Sequence, residues 1–489
     1  MESRLEAARS SAARPGVVAR AAAALTASRT RTVVYAASAA YAAGFGTLSI
    51  LHYLGFGYAR FDLGNMTQAV WSTAHGRLLE TTTLGGDQIS RLGAHTDWFL
   101  ALLAPLWMIW PSPILLLLLQ VAAVSAGALP VYWLARKHLA GERAAAHFAF
   151  AYLLYPATQF NAFMPAAGFH AVSLALPLIV FAIWFLDEGR LLPFALTAAL
   201  AATTKEEIAA AVGCLGIWYA FRTGRRAVGA TILGLGAAWT LVNFLVVIPH
   251  YSHGLHPFAD RYAGIGGTPA GIVRTAVTDP GALLTTVFTT HKAIYLALLF
   301  VPLLGFWALE PLLLLGAVPD IVVNLLSSKP DQTTLHYQYT AGIVPFVFAA
   351  AIFGAKRLRR DPAELSLYAL AAVGCIAVYS PLWALGVSRD TLRADPVRLA
   401  RADAVAMAPD GARVSASNNL GSRLSERRFI YVFPYVGDAQ WVVVDRNDPT
   451  FTDTPANARR YRRAVDRVEQ SPHWRAVFES HGIAVLRRR

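Results

Sequence analysis

Long runs of apolar residues, separated by short polar segments, dominate the chain. A helix that crosses the hydrocarbon core of a bilayer needs roughly 20 apolar residues. These runs are too long for membrane β-strands and lack the alternation of such strands. We therefore predict an all-α polytopic membrane protein with about eleven transmembrane helices. They lie near residues 32–54, 112–135, 144–165, 170–187, 191–204, 207–221, 227–249, 291–309, 311–326, 336–354 and 364–387.

The composition supports a membrane protein. Of 489 residues, 55% are hydrophobic and only 15% are charged, whereas about a quarter of a soluble domain is charged. A soluble chain of this length would form two or three domains with charged surfaces. The composition excludes a soluble enzyme and a disordered chain. Cys214 and Cys375 both lie in apolar runs, so they indicate neither a disulfide framework nor a thiolate metal site.

The basic residues predict the orientation, because cytoplasmic loops are enriched in Lys and Arg. Segment 1–31 carries six arginines, and further basic clusters follow at residues 136–143, 222–226 and 356–360. One alternation of spans places 17 basic residues inside and seven outside. We expect an integral plasma (inner) membrane protein with a cytoplasmic N-terminus. The net charge of +13 lies in these loops and in the tail, so we expect no nucleic-acid partner.

Three parts make up the predicted organisation. Residues 1–31 form a basic cytoplasmic segment, and 32–387 form the transmembrane domain, with a long outer loop at 55–111. The tail, 388–489, holds 18 basic and 12 acidic residues. Its β-like runs at 412–417, 429–433 and 441–444, with a helix-period stretch at 456–468, predict a small extracytoplasmic α/β domain.

The outer loop contains a predicted amphipathic helix within residues 58–78. Five polar residues recur on one of its faces at helical spacing: Asp62, Asn65, Gln68, Ser72 and His75. In a simpler interpretation, Asp62 caps the helix and the polar face meets water. The segment 98–110 is too short to cross the membrane and carries three tryptophans, which is typical of an interfacial or re-entrant helix.

Several other polar residues lie near the same side of the membrane, where ionisable groups are costly and are candidates for function. Each also has a structural interpretation, such as an interfacial histidine at His95 or a tight external turn at Lys205-Glu206. Together they favour an enzyme acting on a lipid-anchored substrate, in which a carboxylate is the base and cations bind a phosphate. Besides Asp62 and Gln68, the candidates are His95, His170, Lys205, Glu206, Arg261, His336 and Tyr337.

These residues fall in motifs that resemble the predicted membrane protein family called domain of unknown function 2079. The similarity covers roughly residues 45–355. It rests on Phe61-Asp62-Leu63-Gly64 with Gln68 and Trp71, His95, 102–113, Gln120, Leu129-Pro130, Ala135-Arg136, Phe169-His170, Lys205-Glu206, Leu325-Leu326-Ser327, His336-Tyr337, Tyr339 and Pro345.

That family is similar to the GT-C superfamily of glycosyltransferases, which implies a GT-C-like fold. Enzymes of this superfamily transfer a sugar from a polyprenyl-phosphate donor on the outer side of the membrane. The resemblance implies that Asp62 is the general base or a metal-associated carboxylate. It also implies polyprenyl-phosphate and membrane lipids as partners. We assign no metal ligand, and the resemblance leaves open a divalent cation, Mg²⁺ or Mn²⁺, as cofactor. The chain departs from the commonest superfamily pattern in having a single Asp at this position.

Three functions are compatible with the sequence. The first is a membrane glycosyltransferase with an extracytoplasmic acceptor. The second is a transporter or flippase of a lipid-linked substrate, which would need polar groups along a path through the membrane and usually shows internal repeats. The third is a non-catalytic membrane scaffold whose tail binds a partner.

Overall fold

The computed structural model describes residues 17–253, 258–384, 395–447 and 455–489, and most of them are helical. Most of the predicted N-terminal segment, the end of the last predicted span and parts of the predicted tail lie outside the described residues.

A helix occupies the position of every predicted span, although several of these helices are short or broken. Pro156, Pro302 and Pro311 each lie at the first or second position of a new helix or helical turn, because proline has no N–H and tolerates the first turn of a helix. The helices are Val17–Leu54, Pro113–Ala126, Ala128–Leu139, Glu142–Leu154, Pro156–Ala162, Ala175–Asp187, Leu191–Ala202, Ile208–Thr223, Arg226–Val242, Pro280–Val287, Thr290–Phe300, Pro311–Leu314, Val318–Leu326, Val344–Arg357 and Pro362–Cys375.

Four continuous apolar helices in the described part of the chain are long enough to cross a membrane: Ser28–Leu54, Pro113–Leu139, Arg226–Tyr251 and Gln338–Arg357. A pair bent by 60°, Pro280–Val287 with Thr290–Leu303, could form a fifth span. Six further apolar helices have 10–17 residues. The helices support a membrane protein, and the count of eleven crossings stays a prediction.

The outer loop folds into short elements at one end of the bundle. A single π-helical turn, Arg60–Gly64, leads into the helix Asn65–Ala74. The antiparallel strands β1 (Glu80–Thr82) and β2 (Gln88–Ser90) follow. The helices Phe99–Leu102 and Ala104–Ile109 come next, within the segment predicted to be interfacial. We call Arg60–Gly64 the Asp62 turn.

The structure contradicts the simpler interpretation of the helix after the Asp62 turn, in which Asp62 caps the helix and the polar face meets water. Gly64, and not Asp62, occupies the N-cap position, and no side chain caps the helix. Gln68 and Ser72 are buried, with no exposed side-chain surface. The helix is enclosed because the C-terminal domain covers it. This burial thus comes from a segment about 360 residues further along the chain.

The C-terminal domain is an α/β domain, as predicted. Its five-stranded sheet has the order β4-β3-β5-β7-β6, in which β3 runs parallel to β4 and β5, and β7 runs antiparallel to β5 and β6. The last two strands were not predicted. The strands are β3 (Val414–Ala416), β4 (Ile430–Val432), β5 (Trp441–Asp445), β6 (Trp474–Ser480) and β7 (Ile483–Arg488).

Helices cover both faces of this sheet. Pro455–Glu469 packs on one face, where Tyr461 and Val465 join the core. Pro396–Ala406 packs on the other, and Phe56 from the outer loop is buried in that second core. The transmembrane domain therefore contributes a side chain to the core of the C-terminal domain, which ties the two together. The α-helices of the described residues not yet named are Ile248–Tyr251, Pro269–Thr278, Pro381–Ala384 and Asn418–Gly421.

Glycines allow the helices Ile208–Thr223 and Arg226–Val242 to pack closely. A Cβ at Gly229 would lie 2.4 Å from Gly216 O and 2.6 Å from Ala220 Cβ, whereas a Cβ at Gly234 would meet nothing within 4 Å.

We expect Gly229→Ala to destabilise the protein by about 1–3 kcal/mol, because overpacking forces the two backbones apart. The matched control is Gly234→Ala on the same helix, which should be neutral or slightly stabilising, since Ala is the better helix former. Thermal unfolding in detergent micelles measures both. Equal thermal unfolding midpoints for the two variants would contradict this close packing of the two helices.

Candidate active site

A cavity of about 300 Å³ lies between the Asp62 turn, the β1–β2 hairpin and the loops that follow the helices at this end of the bundle. Most of the ionisable side chains predicted to be functional line it. Its ionisable lining residues are Arg60, Asp62, Arg91, His95, Asp97, His170, Lys205 and Arg261.

Six segments bring these groups together, and each lies where a helix or strand begins or ends. The Asp62 turn follows the first helix, and Arg91–Asp97 follows β2. His170 precedes the helix Ala175–Asp187, and Lys205 lies between two short apolar helices. Residues 258–261 and 338–339 complete the wall. Because antiparallel helices connect at their ends, polar residues far apart in sequence meet at one level of the bundle.

Asp62 is the acid in this cavity without a close partner. No hydrogen bond to its carboxylate is found among the described residues, and the nearest ionic contact, His170 Nε2, lies 3.9 Å from Oδ1. Its side chain is 29% exposed, toward the cavity. Burial raises the pKa of Asp62 to about 7, against the lowering effect of the Arg91 charge. A carboxylate with a pKa near neutrality is suited to accept a proton.

Three other acids near Asp62 are engaged, namely Asp97, Glu206 and Glu207. Asp97 Oδ2 accepts from Arg91 Nε at 2.5 Å, and Glu207 pairs with Lys205. Glu206 accepts from the Thr96 N–H at 3.1 Å and lies 2.8 Å from His95 Nδ1. These pairs compensate the cost of burying charge, and Asp62 has no such close partner among the described residues.

Two buried guanidinium groups face the same space. Arg60 is 2% exposed and Arg91 is 9% exposed. Arg60 donates to neutral acceptors, Gln68 Oε1 at 2.9 Å and Thr82 O at 2.7 Å. Burial, and then the Arg91 charge, lower the pKa of Arg60 to about 10. Among the described residues, Asp97 is the carboxylate that pairs with one of these two cations, Arg91. The excess of positive charge favours binding of an anion in the cavity.

An aromatic ring separates two further polar groups on the cavity wall. The ring of Phe258 stacks on His95, with centroids 4.6 Å apart, and the Arg261 guanidinium lies 4.1 Å from its centroid. Phe258 has a φ of +65°, which a non-glycine residue rarely adopts and which occurs preferentially at functional sites.

His170 is a buried histidine beside Asp62, with its Nε2 3.9 Å from Asp62 Oδ1. Its backbone N–H donates to Gln120 Oε1 at 2.8 Å, and its buried Nδ1 has no hydrogen-bond partner in the described structure.

The structure places four predicted site residues away from the cavity wall. Gln68 is buried behind the cavity wall, and Glu206 also lies behind it, 2.8 Å from His95 Nδ1. His336 is exposed with its ring against Phe160, and the Tyr337 ring lies 6.3 Å from that of Tyr339. The functional roles of all the predicted site residues stay predictions.

Sequence reasoning missed Arg60 and Arg91 as site residues, because both counted only as basic residues of an outer loop. The available signal was the position of Arg60, two residues before Asp62 in the same motif.

Among the described residues, no group of three or more His, Cys, Asp or Glu side chains is arranged to hold a metal ion. A divalent cofactor stays an untested expectation, and no step below depends on one.

Comparison with known proteins decides the family. The profile of the family described as "Predicted membrane protein (DUF2079)" matches residues 53–485. The chain belongs to this family. No curated protein sequence matches the chain.

Two crystal structures of ArnT from Cupriavidus metallidurans are similar in fold, at 12% sequence identity. The apo structure has a TM-score of 0.49 and covers 92% of this chain and 98% of its own. The structure bound to undecaprenyl phosphate has a TM-score of 0.51 and covers 91% of this chain and 98% of its own. At this identity, the second structure establishes a shared, ArnT-like fold of the GT-C type and nothing finer.

Gln68 links the outer loop to the C-terminal domain through hydrogen bonds of its side chain. Its Oε1 accepts from Arg60 Nη2 and the Thr82 N–H, and its Nε2 donates to Thr82 Oγ1 and to the carbonyls of Arg427 and Arg428.

We expect Gln68→Leu to lower the free energy of unfolding by about 1–3 kcal/mol or more, because buried partners lose their hydrogen bonds. Gln470→Leu, at an exposed position, is the control and should change little. Denaturant unfolding in detergent checks this. A Gln68→Leu protein with unchanged stability would show that these hydrogen bonds do not stabilise the fold.

Proposed function

We propose that the protein is a membrane glycosyltransferase that transfers a sugar from a polyprenyl-phosphate-linked donor to an acceptor hydroxyl at the extracytoplasmic face. The observation that carries the proposal is Asp62. It is a carboxylate with no close partner among the described residues and a pKa near 7, in a cavity that also contains two buried arginines.

In the proposed reaction, the acceptor hydroxyl oxygen attacks the anomeric carbon of the donor sugar. Asp62 takes the hydroxyl proton while the bond between that carbon and the phosphate oxygen breaks. The electron pair of that bond leaves with the polyprenyl phosphate. Attack opposite the phosphate inverts the anomeric centre.

The cations of the cavity suit the leaving phosphate. Arg60 and Arg261 carry no carboxylate partner among the described residues, and Arg91 uses only its Nε in the bond to Asp97. Guanidinium groups match the geometry of phosphate oxygens and stabilise the charge that develops as the phosphate leaves. Lys205 is the weaker candidate, because Glu207 already pairs with it.

The cavity rim suits a lipid tail. Phe61 and Leu84 line the cavity and are exposed, and the cavity lies at one end of an apolar helix bundle. A polyprenyl chain would lie along this apolar surface with its phosphate among the cations. The shared fold with the ArnT structure bound to undecaprenyl phosphate supports this donor class. The basic loops support the extracytoplasmic orientation.

We expect Asp62→Asn to lower sugar transfer by at least about 100-fold, which is typical of removing a general base. Transfer of labelled sugar from polyprenyl-phosphate lipid in membranes measures it. The control, Asp87→Asn, changes an exposed acid in the same loop and should keep wild-type activity.

Full transfer activity in correctly folded Asp62→Asn protein would reject the base assignment. Movement of the lipid-linked sugar across proteoliposomes without covalent turnover would favour the transporter instead.

We expect Arg261→Gln to weaken binding of farnesyl phosphate, a short polyprenyl phosphate, by about tenfold or more, because a hydrogen bond to a charged group contributes about 1.5–3 kcal/mol. Calorimetric titration of the detergent-solubilised protein measures the Kd. Arg274→Gln, at an exposed arginine on a neighbouring helix, should bind as the wild type does. Equal affinities for both variants would remove Arg261 from the phosphate site.

A further inference from the structure

We infer that the C-terminal domain supports the active site from behind the cavity wall, with Asn418 as a positioning residue that holds the Asp62 turn in place. This inference rests on the proposed role of Asp62.

Two hydrogen bonds attach the backbone around Asp62 to the C-terminal domain. The Phe61 N–H donates to Asn418 Oδ1 at 3.0 Å, and Ser422 Oγ donates to Tyr58 O at 2.8 Å. Asn418 and Ser422 are buried. The residue immediately before Asp62 is therefore fixed by a side chain from the other domain.

The two segments approach each other closely at two glycines. A Cβ at Gly64 would lie 2.5 Å from Ser425 Oγ and 3.2 Å from Ser422 Cα. A Cβ at Gly421 would lie 2.6 Å from Arg60 Cβ. Glycine on each side of this contact lets the Asp62 turn pack directly on residues 418–425.

The same domain also sets the position of Arg60. The carbonyls of Arg427 and Arg428 accept from Gln68 Nε2 at 3.0 and 2.8 Å, and Gln68 Oε1 accepts from Arg60 Nη2 at 2.9 Å. The two charged groups that flank Phe61 thus depend on one stretch of the C-terminal domain.

An anchor is needed because the Asp62 turn is a π-helical turn, a rare conformation that is frequent at functional sites. The loss of the Asn418 acceptor would remove the hydrogen bond between this residue and the turn, and would allow the turn to relax toward water. Burial is the main cause of the raised pKa of Asp62, so better hydration lowers that pKa.

The ionisable groups that line the cavity with Asp62 are Arg60, Arg91, His95, Asp97, His170, Lys205 and Arg261. The C-terminal segment packed behind the Asp62 turn adds Arg423, Glu426 and Arg427. Asn418→Ala removes none of these charges.

Infrared difference spectroscopy of the full-length protein in detergent tests the inference without any transfer assay. The C=O band of protonated Asp62 is identified by its loss in Asp62→Asn, and its pH titration gives the midpoint. We expect a wild-type midpoint near 7 and a clearly lower one in Asn418→Ala. Asn418→Asp keeps an acceptor oxygen and adds a negative charge, so its midpoint should equal or exceed that of the wild type.

Asn419→Ala is the matched control. Asn419 is the buried neighbour of Asn418, and its Nδ2 donates to Asp445 Oδ2 at 3.0 Å within the C-terminal domain. The titration midpoint of Asp62 in Asn419→Ala should match that in the wild type. An unchanged midpoint in Asn418→Ala, or the same downward shift in Asn419→Ala, would overturn the positioning role. Failure of the proposed transferase activity would leave these titration midpoints unaffected, so the two outcomes are distinguishable.

Discussion

A charged side chain at the end of an apolar helix bundle is stable only with a partner, because neither lipid nor packed protein solvates it. This constraint organises the cavity. Arg91 is held by Asp97, Lys205 by Glu207, and His95 by Glu206. Asp62 departs from the pattern, and burial keeps it near its midpoint of protonation at neutral pH. This departure from full pairing is the chemical basis of the proposed transferase activity.

The C-terminal domain makes this arrangement possible. It buries Phe56 in its own core and encloses the helix after the Asp62 turn. Arg423 donates to Tyr53 O at 3.2 Å and lies over the rings of Tyr53 and Phe56. The sheet domain is thus packed onto the outer loop and forms one structural unit with the cavity end of the bundle. This packing explains how an outer loop can bury Arg60 and leave Asp62 only partly exposed.

Periodicity predicted the elements that depend on local sequence. Helices occupy the positions of all the predicted spans, and the strands near Val414, Ile430 and Trp441 lie where alternation placed them. Asp62, His95, His170, Lys205 and Arg261 meet in one cavity because helix ends meet at one level. The burial of Gln68 was not predictable in this way, since it results from carbonyls of Arg427 and Arg428. The roles of Arg60 and Arg91 likewise depend on long-range packing, which a count of loop charges does not contain.

An experimental structure of the protein in lipid nanodiscs with bound farnesyl phosphate tests the central claim most directly. We predict that the phosphate lies among Arg60, Arg91 and Arg261, with the space for a sugar between the phosphate and the Asp62 carboxylate. A phosphate bound elsewhere, with these arginines turned away from it, would contradict the account.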